Sequence, residues 1–120
     1  MKTFYVSLLL LALLIAVIFL NTAFVQSTTG EMLRMLADLP PCDGAAEAVN
    51  ALAAYWEEHK TAVGLSANED ALLDLETRLA ELASAVEQKQ ASDFATATRL
   101  TRRAILRIRD AERFTADNLF

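Results

Sequence analysis

The chain is poor both in residues that break helices and in residues that usually carry chemistry, with three glycines, two prolines, one cysteine and one histidine in 120 residues. So few glycines exclude a glycine-rich phosphate loop, and no G-x-S-x-G turn or Ser/His/Asp arrangement occurs. A lone histidine leaves no second imidazole for a metal-binding pair. Cys42 has no intrachain disulfide partner; it either pairs between chains or stays a free thiol in a loop. Positive charge is also in deficit. A formal charge of -5 and a pI near 4.8 argue against a general nucleic-acid binder.

What the chain does have is one uncharged apolar run, Phe4 to Leu20 (FYVSLLLLALLIAVIFL), whose polar groups are confined to Tyr5 and Ser7. A helix rises about 1.5 Å per residue, so a hydrocarbon core of about 30 Å takes roughly 20 residues to cross. The uncharged stretch from Thr3 through Ser27 is long enough. Lipid offers the backbone no hydrogen-bond partner, so such a stretch crosses as a helix, and residues 4–25 are expected to meet the bilayer. The alternative is a secretory signal cleaved near Ser27, with Lys2 as its basic start. Its apolar core exceeds the roughly 7 to 15 residues usual for a signal peptide, and no Ala-x-Ala site follows, so an uncleaved anchor is preferred. Lys2 and the terminal amine outweigh Arg34 on the other flank. Basic flanks stay inside, which predicts a cytoplasmic amino terminus and a body outside.

The sequence divides into an anchor (1–27), a juxtamembrane segment with a hinge at Pro40-Pro41 (28–42) and a helical domain (43–120). That domain is close to the size at which a single core is marginal. Met32, Leu33, Met35 and Leu36 form a short apolar patch that Gly30 is expected to kink. Asp43 is the expected N-cap of a helix reaching Val63, with Val49, Leu52, Trp56, His59 and Val63 on one face. Ser66-Ala67-Asn68-Glu69 has the pattern of a capping box. Leu72, Leu75, Leu79, Leu82 and Val86 then give a regular seam along a helix of about Glu69 to Lys89. A last helix, expected from Asp93 to Ala116 with Ser92 as its cap, would bury Phe94, Ala97, Leu100, Ala104, Ile105, Ile108 and Ala111. The predicted fold is all-α: one transmembrane helix followed by a small antiparallel hairpin or three-helix bundle.

No catalytic, cofactor-binding or metal-binding residue is identified. His59 reads as a packed structural side chain, and the acids Glu69, Asp70, Asp74, Glu76, Glu81 and Glu87 as a solvated face, since calcium needs a compact loop of oxygens. Trp56 and the leucines Leu72, Leu75, Leu79 and Leu82 are the expected structural anchors. The least ordinary feature is the arginine face of the last helix: Arg99, Arg102, Arg103, Arg107, Arg109 and Arg113. Residues 92–117 hold six arginines against four acids, whereas residues 69–89 hold six acids against two bases. Pairing across the hairpin, docking on an acidic partner and contact with anionic lipid all remain open for that face.

Tyr55-Trp56-Glu57-Glu58-His59-Lys60, then Asn68-Glu69 opening a leucine-bearing helix, then Asn118-Leu119-Phe120, in that order after an apolar anchor, resemble a family of short single-span bacterial proteins catalogued as a domain of unknown function. The resemblance implies a membrane-anchored helical protein of the Gram-positive type and brings no catalytic residues. The expected function is a non-enzymatic interaction or assembly module at the cell envelope, binding another envelope protein or itself. A soluble secreted helical protein is the alternative.

Overall fold

The computed structural model describes every residue except Ser66 and Phe120, with the side chains of residues 114–119 left aside. Four helices run α1 Lys2–Ala37, α2 Ala46–Val63, α3 Glu69–Glu87 and α4 Ala91–Leu119, with a short 3-10 turn at Cys42–Gly44 before α2. The described residues contain no strand. The molecule is a rod of 67 × 22 × 21 Å.

Helix α1 is a single helix of 36 residues that passes through Gly30 without a break. Its first half belongs to no core. Residues 1–20 are exposed, apart from the half-buried Ile15 and Ile18. Its second half is built into the core, with Val25 and Met32 fully buried and Leu36 nearly so. The chain after residue 20 is therefore a four-helix bundle whose first helix is continuous with the apolar run. No break occurs at Gly30, and Met32 and Leu36, in the segment expected to be juxtamembrane, belong to the core.

Thr28 and Thr29 belong to that core as well, 1% and 0% exposed. Thr29 Oγ1 donates to the Val25 carbonyl at 2.7 Å, which satisfies the hydroxyl within its own helix and leaves a methyl to pack. Thr101 on α4 does the same toward Ala97 at 2.7 Å and also approaches the Arg78 carbonyl at 3.3 Å.

Each helix lies beside the next, and α4 closes the ring against α1. The α3–α4 contact is the most extensive, as their connection of a few residues predicts. Trp56 stands at the centre with Val49, Leu52 and Val63, each at most 1% exposed. The leucine seam of α3 closes within the chain: Leu75 and Leu82 are fully buried, Leu79 is 6% exposed and Leu72 is half-buried.

Several helix ends differ from expectation. Asp43 lies in the 3-10 turn, and α2 is preceded by Ala45 with no side-chain cap, because the chain leaving Pro41 first turns Cys42 inward. At α3 the cap is Asn68, whose Oδ1 accepts from the Asp70 amide at 2.8 Å; Ser66 lies outside the described residues. Ser92 falls inside α4, which begins at Ala91. On α4, Ala111 is exposed and Glu112 is buried at 7%, so the inward face runs Ala97, Thr101, Ile105, Ile108, Glu112. At the far end of α3, Lys89 adopts φ 55, and the Gln90 amide returns to the Ala85 carbonyl at 3.1 Å. That is the closing bond of a Schellman cap, with lysine where glycine is usual.

Candidate functional site

The first candidate is the bare half of α1. It is the one described helix long and apolar enough to cross a membrane. Its large side chains stand open, Leu9 at 61%, Leu14 at 58% and Leu20 at 71% exposure. A soluble protein rarely leaves so large an apolar surface uncovered. This geometry suits a single-pass anchor and a signal sequence alike.

Where the bare half meets the bundle, polar and aromatic side chains gather. Gln26 of α1 donates through Nε2 to the Arg109 carbonyl at 3.1 Å and accepts from Arg109 Nε at 2.8 Å. One member of the arginine face is thus a bridge from α4 to α1. On the side of α1 that faces α2, His59 is half-buried, its ring stacked on Tyr55 at 4.0 Å and near Phe24 at 6.0 Å between centroids. Nδ1 lies 2.8 Å from the Tyr55 carbonyl, so that nitrogen carries the proton and donates. Burial holds the Tyr55 hydroxyl above its ordinary pKa, with Glu31 and Glu58 adding to the shift and a hydrogen bond involving Thr28 opposing it. His59 therefore meets two rings and a backbone oxygen, an arrangement that packs helices together. Among the described residues no cluster of three or more His, Cys, Asp or Glu is placed to hold a metal.

The remaining arginines point outward. Arg107 reaches Asp74 of α3 at 4.0 Å, the one ion pair between α3 and α4 among the described residues. Asp74 is shared with Arg78, which also holds Glu81 at 3.1 Å, so the one arginine of α3 pairs two of its six acids, and Glu76 is met by Lys60 of α2 at 3.9 Å. Arg99, Arg102, Arg103 and Arg113 are exposed, and none forms a salt bridge with another described residue. Pairing across the hairpin thus accounts for one arginine of the six. Arg99 and Arg102 border a groove of about 400 Å³ whose floor is apolar, formed with Leu36, Leu39 and Phe94.

Cys42 is buried at 7%, with Sγ 3.9 Å from the Ala85 carbonyl, rather than displayed in a loop. Bonding to a second chain would require the turn to open. The sequence signals missed two features, the Gln26–Arg109 bridge and the buried threonines, because each depends on which helix lies alongside. Comparison with protein-family models, with curated proteins and with solved structures returns no match.

Proposed function

We propose that the protein is a non-enzymatic, single-span membrane module of the bacterial cell envelope, with its amino terminus in the cytoplasm and its bundle presented outside. One observation carries this reading: a single helix is bare over its first half and core over its second. Retention of the bare half is supported by the position of the alternative cleavage site. A cut near Ser27 would remove Val25, which is fully buried, and Gln26, which is bonded to Arg109.

The bundle hides Trp56 and its leucine seam, so neither awaits a partner. The surface left for docking is the groove edged by Arg99 and Arg102, which suits a segment pairing carboxylates with apolar side chains, on another envelope protein or on a second copy. Membrane fractionation with a carbonate wash, followed by intact-mass measurement, tests the anchor. The expected result is a full-length chain in the washed membrane. A soluble chain shortened by its first 27 or so residues would establish the secreted alternative. Photo-crosslinkers at Arg99 and Arg102 are the route to partners, since Cys42 is buried.

A further inference from the structure

Helices α1 and α4 run antiparallel, and two contacts fix their register. Gln26 is bonded to Arg109, and farther into the bundle Leu36 and Ala37 line one groove with Thr98 and Arg99. Both helices rise about 1.5 Å per residue, so the same register continues the other way. It sets Arg113 level with Thr22, Asp117 with Ile18, and Leu119, the last residue of α4, with Ala16. The end of α4 thus runs beside the bare half of α1. The inner stripe of α1 extends about as far. Leu36, Met32, Thr29 and Val25 are buried, and Thr22, Ile18 and Ile15 half-buried, at steps of three and four residues.

A membrane span needs that same surface. A hydrocarbon core of about 30 Å takes roughly 20 residues; counted from Phe4 it ends near Ala23, and counted from Lys2 near Asn21. On either count Asp117 stands about 4–8 Å inside the hydrocarbon for as long as α4 keeps its place, with Asn118 beyond it and Arg113 at the edge. Hydrocarbon gives charged and polar groups no partner. The bilayer and the end of α4 therefore compete for one face of α1. Ile105, Ile108 and Glu112 are buried, so α4 is held to the bundle down to Glu112 and can part from α1 only beyond it. We propose that α4 from about Arg113 onward is a strap, which lies along α1 in this conformation and swings out into the aqueous layer when α1 enters the bilayer. The face of α1 that carries Ile15 and Ile18 then turns to lipid, while the bundle above stays closed. The inference rests on α1 being a retained span.

The test uses the full chain with Cys42→Ala and spin labels on the pair Ala23→Cys and Asn118→Cys or, as a reference within the bundle, on Ala37→Cys and Ala95→Cys. Ala23, Ala37 and Ala95 are exposed, so labelling there leaves the core alone. Each protein is placed in phosphatidylcholine vesicles, only carbonate-resistant protein is kept, and the distance between labels is read by electron paramagnetic resonance. With helix axes about 10 Å apart, a docked end of α4 keeps the backbone at Ala23 and at Asn118 about 14 Å apart. The expected result is a broad distribution reaching at least twice that length, with the reference pair short and narrow. A short, narrow distance between positions 23 and 118 in resistant protein means that the bilayer thins around a docked α4; it overturns the strap and leaves the span intact. Lengthening of both pairs means that the whole bundle opens, and overturns the strap as well. Loss of the protein in carbonate overturns the span, and the strap with it.

Discussion

Tyr55 links burial to pH in a way that one substitution isolates. Its hydroxyl is held above the ordinary tyrosine value, chiefly because burial disfavours the phenolate and secondarily through Glu31 and Glu58. A group whose folded pKa is raised contributes stability that is fully present below the unfolded pKa and is lost as pH rises through the folded one. The stability difference between the parent and Tyr55→Phe should therefore be flat below about pH 10 and shrink above it. Urea titrations of both proteins at a series of alkaline pH values check this, and a flat difference throughout would remove burial as the cause. Sequence placed His59 on the inner face of α2 but gave no hint that it stacks on Tyr55 and Phe24. That contact depends on α1 running alongside α2.

Among the elements, α1 departs most from what its sequence suggests. Gly30 sits in mid-helix, and a Cβ added there meets nothing within 4 Å. Gly30→Ala should then stabilise the protein by about 0.5–1 kcal/mol, since alanine loses less backbone entropy and finds open space. Denaturant midpoints of the two proteins measure it; destabilisation would mean that the helix does bend there. By contrast α3 was legible almost residue by residue, because Leu75, Leu79 and Leu82 repeat at helical spacing and all go inward. The second half of α1 was not, because Thr28, Thr29 and Gly30 spell an exit from lipid when read alone. Thr29 is buried with its hydroxyl bonded back to Val25 of its own helix, which no hydropathy pattern records. On α4 the expected Ala97, Ala104, Ile105 and Ile108 go in and Phe94 and Leu100 are half-buried, but Thr101 was missed and Glu112 goes in where Ala111 had been expected.

For the molecule as a whole, the bare apolar segment and the bundle share one helix, and the boundary between them can be located by truncation. A chain starting at Asn21 keeps Phe24, Val25 and Gln26, whereas one starting at Thr28 loses all three. Burying a valine is worth about 1.5–3 kcal/mol and a hydrogen bond about 1 kcal/mol, so the shorter chain should be less stable by about 2–4 kcal/mol. Equal stabilities in urea would place the start of the bundle after Ser27. The same unbroken helix has a rotational consequence. Every side chain of the bare segment keeps a fixed bearing about the axis relative to the arginine face, advancing by about 100° per residue. A neighbour in the bilayer that grips one stripe of the span would thus set the compass direction in which Arg99 and Arg102 face.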